Sequence, residues 1–287
     1  MADGLHEIPF SVENARGDAV DCDVRFVADG ESKPVIVFCH GFKGFKDWGP
    51  FPDWGRRLAK AGFVSVHMNF SYNGVHRDRP TEFTELEKFA ENTFTRELDD
   101  LQAVLDAIEE GTLPDAPIDT DRIGVMGHSR GGGTVILQAE RDERVGALVT
   151  WSSVSTFVNR FSDEQINDWE RQGYTEIVNS RTGQVMRLNK GLYDDTMAHR
   201  DELDVRGAAE RIDVPWLVVH ARDDEAVDFQ AAEILAGATD TAELMEASGG
   251  HTFGGAHPFE GPVPGTLEAV WDRTIDHFHA HLASGRA

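Results

Sequence analysis

Ser129 lies between glycines in Gly127-His128-Ser129-Arg130-Gly131, directly after the apolar run 123–126 and before a stretch with helical spacing. A serine on such a strand-to-helix turn is held in strain with its hydroxyl presented, and the glycines let neighbouring backbones pass close. A serine hydroxyl is a weak nucleophile. It needs a base to take its proton, a carboxylate to orient that base, and donors where negative charge develops. His251, in Ser248-Gly249-Gly250-His251-Thr252-Phe253, follows a predicted strand and can be the base, while the doublet Asp223-Asp224 follows another and can supply the carboxylate. Phe42, in His40-Gly41-Phe42-Lys43-Gly44, follows a third, where its backbone N–H and that of Arg130 are expected to face an oxyanion.

Other residues compete for these parts. His257 is a rival base, but it precedes Pro258 and lies farther from a strand end; Asp228 is expected to cap a helix opening at Phe229. His40 is expected to brace the loop that carries Phe42. His277, His279 and His281 include an i, i+4 pair that could ligate metal, but no carboxylate or cysteine stands at complementary spacing, so a solvated helix face is expected and no metal. Phe157, Phe161, Trp169, Tyr174 and Tyr193 either line an acyl or aryl pocket or pack an insertion on the body.

The elements that must position these residues are legible as alternation. Residues 5–13 and 19–27, split by Asn14-Ala15-Arg16-Gly17-Asp18, predict an opening β-hairpin. The run 35–39 is β-branched and apolar throughout, as in a strand buried on both faces. A helix over 54–61, a strand over 63–68, a polar irregular stretch over 71–92 and a helix over 93–110 follow. Strands over 122–126, 145–151, 216–220 and 242–245 then alternate with helices over 131–141, 229–235 and 266–282. Repeated strand-helix alternation implies right-handed crossovers around a mostly parallel sheet with helices on both faces. Residues 152–212 break the rhythm and hold a predicted hairpin, 175–178 and 184–188 around Asn179-Ser180-Arg181-Thr182-Gly183. An insertion of that length suggests a cap or lid on a single domain spanning 1–287.

With the motifs placed, the chain resembles the α/β-hydrolase superfamily, and within it the dienelactone-hydrolase-like and feruloyl-esterase-like serine hydrolases. The resemblance rests on His40-Gly41-Phe42, the serine elbow with Gly132, His220 four residues before Asp224, and Gly249-Gly250-His251 with Phe253. It spans about residues 20–282, and the order Ser129, Asp224, His251 is the one it implies. The resemblance implies an α/β-hydrolase fold, Ser129 as nucleophile, His251 as base, Asp224 as the acid and Phe42 and Arg130 as oxyanion donors, with no cofactor. Asp224 is preferred to Asp223 because relatives carry Val three residues after the acid, as Val227 stands here. Dienelactone hydrolases proper carry cysteine as nucleophile, so Ser129 points away from that activity. The expected reaction is cleavage of a small-molecule carboxylic ester through an acyl-enzyme. A peptidase or amidase, or a thioesterase, is the alternative, and a non-catalytic binding module a more distant one.

Composition limits the partners. Fifty-one Asp and Glu against 27 Lys and Arg give a net charge of −24 over 287 residues, which removes the electrostatic drive toward nucleic acid or anionic membranes. The chain is nevertheless rich in core-forming side chains, with 40% hydrophobic residues and 17 Phe. Aspartate exceeds glutamate and arginine exceeds lysine; a hydrated carboxylate surface with few lysines suits concentrated salt. The two cysteines, Cys22 and Cys39, fall in predicted strands and read as reduced thiols, and no apolar run approaches the ~20 residues of a membrane span. With no signal-peptide pattern at the start, a cytoplasmic location is expected.

Overall fold

The computed structural model describes residues 4–283. The chain opens with β1 (Leu5–Glu13) and β2 (Ala19–Val27), then β3 (Lys33–Cys39), α1 (Phe51–Lys60), β4 (Val64–Met68), α2 (Leu86–Ala90), α3 (Phe94–Glu109) and β5 (Ile118–His128). After β5 come α4 (Arg130–Arg141), β6 (Val145–Trp151), α5 (Asp163–Gln172), β7 (Tyr174–Val178), β8 (Val185–Asn189), α6 (Gly191–Ala198) and α7 (Val205–Ala209). The last part holds β9 (Trp216–Ala221), α8 (Gln230–Ala236), β10 (Ala242–Ala247), a 3-10 turn (Gly250–Thr252) and α9 (Gly265–His281).

Eight strands form one sheet in the order β1-β2-β4-β3-β5-β6-β9-β10. The hairpin β1-β2 joins β4 antiparallel, and every other pairing is parallel. The central strand β3 shows why its sequence has no polar alternation. Val35, Val37 and Cys39 face a core shared with α3, α4, α7 and α8, while Ile36 and Phe38 face a second core shared with α1 and α9. All five are 0% exposed, and each large side chain so buried contributes about 1.5–3 kcal/mol. Both cysteines are buried and unbridged in β2 and β3.

Two regions hold helices that their sequence periodicity does not show. The stretch 71–92 contains α2, and the segment between β6 and β9 contains three helices around its hairpin. Helix α5 buries only Trp169, so it lacks an apolar stripe; its start is instead fixed by a capping box between Ser162 and Gln165, a signal present in the sequence. Strands β7 and β8 pair separately from the main sheet. Asp228 does accept a hydrogen bond from the Gln230 backbone at the start of α8. The solvated face predicted around His277 needs correction: His279 and His281 are exposed, but His277 is buried, with Nε2 3.3 Å from the Pro215 carbonyl. Among the described residues no helix is long and apolar enough to cross a membrane, and no group of three or more His, Cys, Asp or Glu is placed to hold a metal ion.

Candidate active site

Ser129 sits between the last residue of β5 and the first of α4, with φ 57° and ψ −115°. A non-glycine residue there carries about 1–3 kcal/mol of strain and persists only where its surroundings fix it. Three backbone hydrogen bonds do so: Ser129 N–H donates to Trp151 O (2.9 Å), and Ser129 O accepts from Gly132 N–H (3.1 Å) and Val154 N–H (3.2 Å). The turn is so tight that a Cβ on Gly127 would lie 2.1 Å from Gly131 O, and one on Gly131 2.5 Å from the carbonyls of Cys39 and His40. The glycines of the motif are therefore steric requirements of the crossing backbones.

The carboxylate and imidazole come from loops at the ends of β9 and β10. Asp224 Oδ2 lies 2.8 Å from His251 Nδ1, and its Oδ1 accepts from the backbone N–H of Ala226 (2.8 Å) and Val227 (3.0 Å). His220 Nε2, 3.3 Å away, leans on the same Oδ2. Burial pushes the Asp224 carboxyl up, but the hydrogen bonds from His220, His251 and the Val227 backbone outweigh it and hold it well below the usual carboxylate range. Asp223 instead accepts from Gly249 N–H (3.2 Å). The geometry thus brings Asp224, of the two, to His251, and leaves Asp223 to hold the loop before the histidine.

A residue not foreseen as part of the site, His128, ties the loops together. Its Nε2–H donates to the His251 carbonyl (2.9 Å), linking the serine turn directly to the histidine loop. Burial foremost, then the neighbouring His251, lowers the His128 pKa to about 3, so the ring is neutral.

Gly41 packs against the same turn, since a Cβ there would meet Ser129 Cβ at 2.8 Å. His40 braces this loop as expected: Nδ1–H donates to Gly41 O (2.8 Å), and Nε2 accepts from Phe70 N–H (3.3 Å). Burial lowers its pKa to about 4, so it too is neutral. Among the described residues the backbone N–H groups of Phe42 and Arg130 find no acceptor. Arg130 opens the twelve-residue helix α4, where unpaired N–H groups and the helix dipole favour negative charge. Its guanidinium stacks 4.1 Å from the Phe42 ring centroid and pairs with buried Glu97 (3.2 Å). The side chain of one prospective donor thereby clamps the other.

Ser129, His251 and Phe42 line one cleft of about 420 Å³, closed on one side by Asn179, Ser180 and Arg181 from the β7-β8 turn. His257 also lines it, but its Nδ1 accepts from Gly49 N–H (2.8 Å) and no carboxylate among the described residues orients it. The insertion aromatics do not line this cleft. Phe157 stacks on Phe94 at 4.1 Å, and Phe161, Trp169 and Tyr193 form a cluster of their own, so they pack the insertion.

A mostly parallel sheet flanked by helices, with a serine elbow after one strand and its other polar groups after neighbouring strands, defines a hydrolase of the α/β-hydrolase fold. The chain belongs to the prolyl oligopeptidase family, whose model matches residues 58–253. Est1E from Butyrivibrio proteoclasticus, solved with ferulic acid bound, superposes with TM-score 0.71 at 19% identity, covering 96% of this chain and 100% of that one. A puromycin-hydrolyzing peptidase of Mycobacterium tuberculosis superposes with TM-score 0.64 at 16% identity, over 96% of this chain and 39% of that one. In sequence, a 31.7 kDa protein of the traX-finO intergenic region of Escherichia coli is 26% identical over 175 residues, 58% of this chain. The match spans about half of that relative, 54% of its length.

Proposed function

We propose that the protein is a serine hydrolase of small carboxylic esters. Ser129 attacks the carbonyl, His251 takes its proton, Asp224 holds the imidazole tautomer and stabilises the imidazolium, and the N–H groups of Phe42 and Arg130 receive the oxyanion. His251 then protonates the leaving alcohol, and water repeats the sequence to free the acid. The observation that carries this reading is the 2.8 Å contact between His251 and buried Asp224 on the cleft that also holds strained Ser129. The Ser129 hydroxyl itself makes no hydrogen bond among the described residues. Its contact with His251 is one for bound substrate to complete, as catalytic contacts often tighten only then. In this reading the whole chain acts as one hydrolase domain, with residues 152–212 as a cap whose turn overhangs the cleft.

Amide cleavage by the same residues is the second reading, favoured by the family match itself. The two part on leaving group: paired 4-nitrophenyl esters and aminoacyl 4-nitroanilides with identical acyl groups separate them. Ser129→Ala is expected to lower turnover by about 10⁴-fold or more and to abolish labelling by a fluorophosphonate, with the circular dichroism spectrum unchanged. Turnover that survives in this variant rules out Ser129 as the nucleophile.

A further inference from the structure

The charge of the cleft is opposite to that of the chain. Carboxylates outnumber basic groups 51 to 27 overall, yet no Asp or Glu lines the cleft, while Lys43 and Arg181 both do. Basic side chains elsewhere in this protein mostly find a carboxylate within ion-pair distance, as at Arg25, Arg144 and Lys46. Among the described residues Lys43 and Arg181 find none. Arg181 also acts on Lys43. Burial first, then the positive charge of Arg181, lowers the Lys43 pKa, and the same two causes lower that of His257 on the same cleft. Two unneutralised cations placed within reach of each other cost stability in a molecule with ample acid to pair them.

The loops that hold them are built. Lys43 is kept at φ 54° in the loop braced by His40, and the Arg181 guanidinium lies 5.6 Å from the Phe45 ring centroid. Beside Arg181, Asn179 is 4% exposed and also lines the cleft; its Oδ1 accepts from Arg181 N–H (3.2 Å) while its amide nitrogen has no acceptor. A buried donor without a partner is costly, and this wall carries both donors and charge with nothing to receive them.

We propose that Lys43 and Arg181 form an anion subsite, so that the preferred ester carries a carboxylate on the half of the molecule that reaches past Ser129 toward the β7-β8 turn. This rests on the ester hydrolase reading above and names its substrate class. Arginine offers a planar fork that matches a carboxylate, and lysine a point charge beside it.

The experiment compares kcat/KM for two matched pairs: mono-4-nitrophenyl glutarate against 4-nitrophenyl pentanoate, which places the charge on the acyl side, and 4-acetoxybenzoate against methyl 4-acetoxybenzoate, which places it on the alcohol side. A net charge of −24 repels both anions, so a general electrostatic effect favours the neutral partner. The expected result is a preference of about tenfold for the anion in one pair, the size of one charge-assisted contact. That preference should shrink in Arg181→Gln, vanish in a Lys43→Met, Arg181→Gln double variant, and fall as sodium chloride is added. Arg181 is exposed on a turn, so its single variant reports even where the double variant does not fold. Turnover of the neutral esters with no anion preference in either pair, or a preference that the Arg181 variant leaves intact, overturns the subsite alone. No turnover of any of the four overturns the ester reading first, and the subsite with it.

Discussion

At the scale of single residues the site spends stability on geometry, and Ser129 shows it most directly. Its φ of 57° with ψ of −115° lies in a region that glycine adopts without strain. Ser129→Gly should therefore remove both the proposed nucleophile and the strain, less the extra freedom that glycine gives the unfolded chain. The expected outcome is an unfolding free energy higher by about 1 kcal/mol in urea titration, alongside lost turnover. A destabilised glycine variant would mean that the serine side chain, and not the turn, holds the elbow. Glu97 marks the same trade. Burial raises its pKa even though Arg130, Asn92 and Thr134 all favour its charged form, so a carboxylate is kept in the core at a cost to hold a guanidinium against Phe42.

At the scale of elements, what was legible followed periodicity. The opening hairpin, the fully apolar strand β3 and the long helix α3 each carry a pattern of burial that only one kind of element satisfies. The elbow was legible because glycine is the only residue its crossing backbones admit. Helices α5, α6 and α7 were not, because α5 buries a single side chain and α7 has five residues, too few turns to show a stripe. Of the site, the residues that would do chemistry were legible from their place after strands. His128 and Arg181 were not, since one acts through a loop 123 residues away and the other by overhanging a cleft that spacing along the chain does not display. Glu97 left a trace, a charge on the buried face of α3. The segment between β6 and β9 depends on Trp169, 1% exposed, whose Nε1–H donates to Leu188 O (2.8 Å) and so fastens α5 to β8. Trp169→Ala should cost about 3–5 kcal/mol locally. Because β7 and β8 pair apart from the main sheet, the loss is expected to appear as faster tryptic cleavage after Arg181 while near-native ellipticity remains. Unchanged cleavage would show that the hairpin is held from elsewhere.

At the scale of the whole molecule, the −24 charge and the buried histidines respond to pH in separate windows. Surface carboxylates titrate near pH 4, so the self-repulsion among them barely changes between pH 7 and 5.5. Histidines act within that window. His40 and His277 are lowered to about 4 and His128 to about 3, each by burial foremost, and His67 is lowered well below its ordinary value for the same reason. All four stay neutral in the native state while their unfolded counterparts take up protons below about pH 6.5. A depressed histidine pKa means the unfolded chain binds more protons, so stability present above pH 6.5 is lost as pH falls. Asp100 opposes this, because burial raises its pKa to about 7 and the native state holds a proton that the unfolded chain has released. The buried carboxyls Glu97 and Asp47, also raised by burial, act in the same sense as Asp100, but the four histidines outnumber them, so the unfolded chain takes up more protons near pH 6 and stability falls as pH falls. Thermal midpoints measured at fixed high salt should therefore fall steeply from pH 7 to 5.5, well above the range in which carboxylates protonate. His277→Gln keeps an N–H for the Pro215 carbonyl and removes one titrating group, so its profile should be shallower by about one proton. A wild-type midpoint that stays flat until pH 4.5 would mean that these histidines accept protons without unfolding, and that the acid limit of the protein belongs to its carboxylate surface instead.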